Sequence, residues 1–163
     1  MKKLLFILLL IFFSTDIRSQ ELPFYFSPGV QIGIDSGRNA YFSYQFTLGM
    51  NVPIGRGDMT IDAFILPGIT FGKRHYKYKK EKKYESFTYL DGQLTILPFG
   101  LGRGKIWKSD GESFRKYKLW VLNPFVPITI ISYDYISFAD KPKHHYGLFG
   151  VLPIPLGEWG ALN

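Results

Sequence analysis

The side chains of this protein most suited to binding a metal or acting as a base are its histidines. His144 and His145 are adjacent, and His75 is distant from them in sequence. Successive side chains of an extended segment point to opposite faces, so only one of the adjacent pair could share a site with a given partner. The chain has no cysteine and no His-x-Glu or His-Glu-x-x-His arrangement, and zinc sites are commonly built from such ligands. We therefore predict no metal site and no cofactor, and we interpret the histidines as residues at loop edges.

A second group that could do chemistry comprises Ser132, Asp134 and His145, which offer a nucleophile, an acid and a base. Such a group could serve a lipid-modifying enzyme, although no motif fixes its geometry. The alternative interpretation is structural. Acidic residues within strands (Asp62, Asp91 and Asp134) would pair with Lys or Arg in the interior, because an unpaired buried charge is costly. We predict no catalytic residues and no enzymatic activity, and a lipid-modifying enzyme remains the alternative.

The N-terminal residues carry the pattern of an export signal. The basic start Met1-Lys2-Lys3 precedes an apolar run from Leu4 to Phe13 and a polar exit at Ser14. This order is typical of a secretory signal peptide. The apolar run is too short to cross a bilayer as a helix, which needs about 20 residues. We predict a signal peptide over residues 1–20 and a single exported domain over residues 21–163; the alternative is an N-terminal core helix or strand.

The segment Tyr41–Val52 predicts the architecture most directly. Apolar side chains alternate there with small neutral polar ones, as expected for a two-faced β-strand. The polar face carries no charge, which favours a narrow barrel interior over a water-facing surface. The predicted outward residues are Phe42, Phe46, Leu48 and Met50, and the predicted interior residues are Ser43, Gln45 and Thr47.

Composition extends this prediction to the rest of the chain. Gly (17), Phe (15) and Tyr (11) are abundant, and no long segment after the signal peptide has helical periodicity, so we predict an all-β domain. The predicted fold is a single antiparallel up-and-down β-barrel of about eight strands. Its segments are about Tyr25–Asp35, Tyr41–Val52, Met59–Lys73, Tyr84–Ile96, Phe99–Trp107, Arg115–Asn123, Ile128–Phe138 and His144–Leu156.

Charged residues are concentrated between these segments. Tyr41–Val52 and Leu119–Tyr133 carry none, and Met59–Gly72 carries only Asp62. A charge on a lipid-facing surface near the membrane centre costs about 2–4 kcal/mol, so membrane barrels move charges to loops and interior. Apart from the connection at Pro53–Asp58, polar or longer connections alternate with short Gly/Pro turns. Both features favour a barrel that crosses a membrane.

The connection predicted between Arg74 and Lys83 is strongly basic and contains interleaved tyrosines. Basic and aromatic residues can bind nucleic acid, but an exported protein rarely meets this ligand, and we expect no nucleic-acid partner. The same residues could contact anionic lipid or lipopolysaccharide; the alternative is a solvated loop. The residues predicted to contact an anionic surface are Lys73, Arg74, Lys77, Lys79, Lys80, Lys82 and Lys83.

In length, alternation and loop order, the region after the signal peptide resembles the small eight-stranded outer-membrane β-barrel proteins. The resemblance implies a monomer in the outer membrane of a Gram-negative cell, with outer-membrane lipid or lipopolysaccharide as partner and a non-enzymatic structural or surface-interaction role. Two features depart from that pattern. Barrels of this type commonly end on a strand whose last residue is aromatic, whereas Trp159 here lies four residues before the end. In addition, Pro67, Pro153 and Pro155 interrupt predicted strands, where each removes a hydrogen-bond donor. They keep open the alternative of a soluble periplasmic or secreted barrel that binds an apolar ligand.

Overall fold

A computed structural model describes residues 24–54, 63–78, 83–123 and 129–156. The predicted signal peptide lies outside these residues. No helix in the described part of the chain is long and apolar enough to cross a membrane. The strands of the described part are β1 (Phe24–Asp35), β2 (Ala40–Met50), β3 (Val52–Ile54), β4 (Ala63–Tyr78), β5 (Lys83–Ile96), β6 (Phe99–Lys108), β7 (Ser113–Leu122), β8 (Thr129–Ser137), β9 (Lys143–Val151) and β10 (Ile154–Leu156).

The strands form one closed antiparallel sheet. Neighbours follow the order β10-β1-β2-β4-β5-β6-β7-β8-β9, and β1 also pairs with β9, which closes the ring. β3 pairs with β4 beyond the end of β2, and β10 pairs with β1 beyond the end of β9. The structure is therefore an eight-stranded up-and-down barrel, as predicted from the sequence.

Prolines explain why two of the eight barrel strands are interrupted, so that each is counted as two shorter strands. The register Gly49↔Gly68 of β2 continues unchanged into Val52↔Ile65 of β3, and the break lies beside Pro67, which has no N–H to donate. Likewise, Pro28 and Pro153 flank the break between β9 and β10. The carbonyl of Pro28 still accepts a hydrogen bond from the Leu152 N–H at 3.1 Å. These prolines interrupt the ladder locally without shifting its register.

Alternation along β2 follows the prediction. Ser43, Gln45 and Thr47 are buried in the interior, whereas Phe46 and Leu48 lie outside with exposed fractions of 41% and 53%. In an eight-stranded barrel the interior is only wide enough to be filled by side chains. Small polar residues on the inner face therefore fit the narrow space, and the larger apolar residues lie outside.

The interior is layered along the barrel axis. An apolar cluster lies near the end that carries the connections 36–39, 109–112 and 138–142; its members include Tyr41, Tyr76, Phe87, Ile106 and Ile136. A smaller cluster of Trp120, Ile130 and Phe149 lies towards the opposite end, where residues 24 and 156 also lie. Buried polar and charged side chains occupy the layer between the two clusters.

Glycine provides the space for one of these aromatic side chains. A Cβ added at Gly100 would lie 2.1 Å from Cε2 of Trp120, whereas one added at Gly150 would meet no heavy atom within 4 Å. We expect Gly100→Ala to lower the free energy of unfolding by about 1–3 kcal/mol, the usual cost of overpacking. Gly150→Ala, a matched strand position, should leave it nearly unchanged. The measurement is urea unfolding of the refolded protein in detergent micelles, and equal midpoints for the two variants would contradict this account.

The prediction that the third strand ends at Lys73 was wrong, because the strand continues beyond this residue. The interval from Arg74 to Lys83 was predicted to be a loop, but β4 continues to Tyr78 and β5 begins at Lys83. Arg74 and Tyr76 face the interior, Tyr78 packs against the interior cluster, and His75 and Lys77 face outward. The sequence interpretation took this basic run for a loop. Its side chains alternate between buried and exposed only because Arg74 has a partner elsewhere in the barrel, and the sequence does not show that partner.

Candidate functional site

The middle layer of the barrel contains an ion pair between β4 and β8. Arg74 and Asp134 are both fully buried, and Nη2 of Arg74 donates a hydrogen bond to Oδ2 of Asp134. The same guanidinium donates to Gln31 Oε1 at 2.9 Å and to Ser43 Oγ at 2.8 Å. Its Cζ lies 4.3 Å from the centroid of the Tyr41 ring. The charge of Arg74 is thus neutralised and hydrogen-bonded by groups from several strands.

A second pair connects β7 with β5. Lys116 donates to Asp91 Oδ2, and its Nζ lies 4.1 Å from the centroid of the Tyr89 ring. Lys118, two residues further along β7, donates to Gln45 Oε1 at 3.3 Å and lies 4.1 Å from the Phe149 ring centroid. The pairing of Asp91 and Asp134 with interior basic residues confirms the structural interpretation of these acids. Asp62 lies outside the described residues.

The adjacent histidines lie on opposite faces of β9, as the alternation argument predicted, whereas their interpretation as loop-edge residues is wrong for His145. His145 is buried inside, and its Nε2 lies 2.9 Å from the Tyr76 hydroxyl. His144 lies on the other face, with Nδ1 2.6 Å from the Tyr133 hydroxyl, and His75 contacts the Ser86 hydroxyl at 2.7 Å. No group of three or more His, Cys, Asp or Glu side chains that could hold a metal occurs among the described residues.

The structure brings Ser132, Asp134 and His145 into the same interior but gives each a different partner. Ser132 Oγ donates to the Gly147 carbonyl at 3.1 Å and accepts from Gln31 Nε2 at 2.7 Å. Asp134 is bound by Arg74, and His145 contacts Tyr76. The three side chains are thus part of a packed polar layer, in which Ser132 is hydrogen-bonded to Gln31 and to the Gly147 carbonyl.

The residues predicted to contact an anionic surface are dispersed. Lys73 and Lys77 project outward from β4, and Lys83 lies at the rim, 3.8 Å from Glu85 Oε1. Arg74 was wrongly placed in this set, because its side chain is 0% exposed and its charge is neutralised inside the barrel. The other members, Lys79, Lys80 and Lys82, lie outside the described residues.

Sequence reasoning missed a second group of outward basic residues, Arg103 and Lys105 on β6 and Arg115 on β7. The signal was present, because Phe99, Leu101, Arg103 and Lys105 share one strand face, but the glycines between them obscured the alternation. Arg103 Cζ lies 5.5 Å from the centroid of the Tyr117 ring. Every charged residue on the outward face of the described strands is basic: Lys73, Lys77, Arg103, Lys105 and Arg115.

Charges at the rim, by contrast, include acids that are paired locally. Lys108 Nζ lies 3.2 Å from Glu85 Oε1 and 3.4 Å from Asp110 Oδ2. The backbone N–H of Glu112 donates to Asp110 Oδ1 at 3.1 Å and lowers the pKa of that carboxyl below its ordinary value. The acids in the part of the chain described here therefore lie in the interior or at the rim, not on the outer wall.

The outer wall is covered by large apolar side chains that we call the apolar belt. Its members are strongly exposed, for example Ile69 at 62% and Leu119 at 55%. They are neighbours across successive strands, so the belt continues around the barrel. The register pairs that join it are Ile32↔Phe42, Phe46↔Phe71, Phe71↔Leu90, Leu94↔Leu101, Leu101↔Leu119, Val121↔Ile131, Ile131↔Leu148 and Ile32↔Leu148.

Comparison with known proteins adds a single similarity. No protein-family model and no curated protein sequence matches this chain. Among solved structures, the chain is similar to one described as "De novo design of transmembrane beta-barrels". The two share 9% sequence identity at a TM-score of 0.43, over 82% of this chain and 98% of the other.

Proposed function

We propose that this protein is a small β-barrel of the outer membrane, with a non-enzymatic structural or surface-interaction role. The observation that carries the proposal is the apolar belt around a polar, charge-paired interior. Soluble monomers rarely expose contiguous apolar patches larger than a few hundred Å², whereas an outward apolar band with a polar interior is the arrangement of membrane barrels.

The height of the belt supports this proposal. The outward residues of β1 are all apolar from Phe24 to Ile34, a span of ten residue steps (34 − 24). At about 3.3 Å per residue this is roughly 33 Å along the strand. With a strand tilt of about 40°, it corresponds to a height of roughly 25 Å, which matches the apolar band of outer-membrane barrels.

The competing function, a soluble barrel that binds an apolar ligand, requires an apolar cavity inside. The interior contains the Arg74–Asp134 and Lys116–Asp91 pairs at its middle and aromatic clusters towards both ends. Ligand cavities are lined predominantly by hydrophobic side chains with few polar groups. Both the charge-paired interior and the apolar exterior therefore favour the membrane proposal.

The end that carries the polar connections 36–39, 109–112 and 138–142 is proposed to face the cell exterior. The intervals between strands at this end are four or five residues long, whereas those at the opposite end range from the Leu97–Pro98 turn to the eight residues 55–62. The proposed orientation therefore rests on the polarity of the connections and not on their length. Lys73 and Lys77 then lie near the outer leaflet, where they would contact anionic head groups. A monomeric state and the absence of catalytic activity stay predictions.

Fractionation tests the proposed location. We expect the mature protein in the outer-membrane fraction, retained after urea and carbonate washes and released by detergent, because the apolar belt has to be covered by lipid. A soluble periplasmic protein serves as the control for cell breakage. Release of this protein by osmotic shock, in a form that remains soluble without detergent, would contradict the proposal.

A further inference from the structure

An apolar groove interrupts the outer wall where β5, β6, β7 and β8 meet. Its volume is about 390 Å³, within the range of ligand-binding pockets. Most of its wall is contributed by outward side chains of the apolar belt: Ile96, Phe99, Leu101, Leu119, Ile131 and Tyr133. The groove therefore opens on the outer surface, and the inward-face residues Gly100, Trp120 and Ser132 complete its lining.

Basic residues follow the groove residues of β6 and β7 along both strands, towards the end of the barrel that carries the polar connections. The register places Leu101 opposite Leu119, then Arg103 opposite Tyr117, then Lys105 opposite Arg115. Their alternation puts all six side chains on the outward face. Along the outer surface, the apolar side chains of the groove are thus followed directly by three exposed cations. This order matches a molecule with an apolar body and an anionic head.

The three cations have no acidic counterpart on the same surface. Within the described residues, Arg103, Lys105 and Arg115 form no ion pair, and no Asp or Glu occupies an outward strand position. Gly92 on β5 lies opposite Arg103 in the register, and a Cβ there would meet only the Arg103 carbonyl oxygen, at 3.9 Å, so the β5 side of Arg103 is open. A guanidinium binds phosphate oxygens through two parallel hydrogen bonds.

We propose that the groove and these three cations form a binding site for a phosphate-bearing lipid. An acyl chain lies in the groove against Leu101, Leu119 and Ile131, and the lipid phosphate is bound by Arg103, Lys105 and Arg115. Tyr117 lies opposite Arg103 and between Leu119 and Arg115 on β7, a position where an aromatic side chain suits a membrane interface. This inference rests on the proposed membrane location and assigns to it a specific lipid contact on the β6–β7 face.

Native mass spectrometry of the full, folded protein in detergent tests the site. The probes are phosphatidylglycerol and phosphatidylcholine, titrated separately. We expect the wild-type protein to retain phosphatidylglycerol on the order of tenfold more tightly than phosphatidylcholine, since each nearby basic residue adds to the attraction for anionic lipid. The variant R103Q/K105Q/R115Q should lose this preference. The matched control K73Q/K77Q, which removes the outward cations of β4, should keep it.

Two further measurements separate the parts of the site. Ile131→Trp fills the groove while leaving the cations in place, and it should weaken phosphatidylglycerol binding severalfold. Millimolar inorganic phosphate should fail to displace the lipid, because the free ion lacks the acyl chain. Displacement by phosphate alone, or equal lipid retention by the wild-type protein and R103Q/K105Q/R115Q, would overturn the lipid site.

Vesicle insertion distinguishes failure of this inference from failure of the proposed location. The wild-type protein, R103Q/K105Q/R115Q and K73Q/K77Q should all fold into vesicles of phosphatidylcholine alone. Folding is monitored by the heat-dependent mobility of folded barrels in gel electrophoresis. A protein that inserts but does not prefer phosphatidylglycerol refutes the lipid site alone. A protein that inserts into no vesicle refutes the membrane location and the lipid site together.

Discussion

Replacing Asp134 by Ala is expected to lower the free energy of unfolding by about 3–5 kcal/mol, because the substitution leaves the buried charge of Arg74 without its counter-ion. Both side chains are fully buried, so water cannot easily take over the role of the carboxylate. The measurement is urea unfolding of the protein refolded in detergent micelles, followed by tryptophan fluorescence. Asp110→Ala is the control: Asp110 is an exposed loop acid, and its loss should leave the free energy of unfolding nearly unchanged.

A double variant tests the physical reason for this loss. Arg74→Met/Asp134→Leu removes both charges and substitutes apolar side chains, and replacing a buried ion pair in this way is often neutral or stabilising. We expect it to recover more than half of the stability lost in Asp134→Ala. Full recovery is not expected, because Gln31 and Ser43 also lose the hydrogen bonds that Arg74 donates. A double variant that is less stable than Asp134→Ala would show that the isolated charge is not the cause.

The second large effect concerns the outer wall. Phe46 is exposed on the apolar belt and pairs in register with Phe71. We expect Phe46→Arg to prevent or strongly weaken insertion into vesicles, since a cation at mid-membrane costs about 2–4 kcal/mol. Gln45→Ala, at the neighbouring interior position, removes the acceptor for Tyr89 and Lys118. It should cost about 1 kcal/mol per lost hydrogen bond and still permit insertion.

Labelling at the same position decides whether lipid covers the belt, because a soluble barrel would also be damaged by an arginine there. The natural chain has no cysteine, so Phe46→Cys provides a single reactive thiol. In vesicles this thiol should react slowly with a water-soluble maleimide, and a fluorophore attached there in detergent should be quenched by lipid-borne spin labels. Asp110→Cys, in a polar connection, should show fast labelling and weak lipid quenching. Fast labelling without lipid quenching at position 46 of a folded sample would refute the membrane location.

The sequence by itself determined the strand architecture. Alternation is a local property, since neighbouring side chains of any extended segment point to opposite faces. The pattern of Tyr41–Val52 was therefore sufficient to predict which side chains of β2 lie inside and which lie outside. Strand ends were also predicted closely where a turn residue such as Pro98 ends the run. The eight-stranded barrel follows from repeating this local rule along the chain.

Only the tertiary structure decided which charges pair and which basic residues cluster. Arg74 pairs with Asp134, which is sixty positions away, and the pair forms only when β4 and β8 face each other across a closed barrel. Without this partner, a charged strand end is indistinguishable from a solvated loop. The outward cations of β6 and β7 likewise become one cluster only through the register that sets Lys105 opposite Arg115. Alternation is encoded in adjacent residues, whereas charge pairing and clustering depend on strand order and register, which arise when the sheet closes.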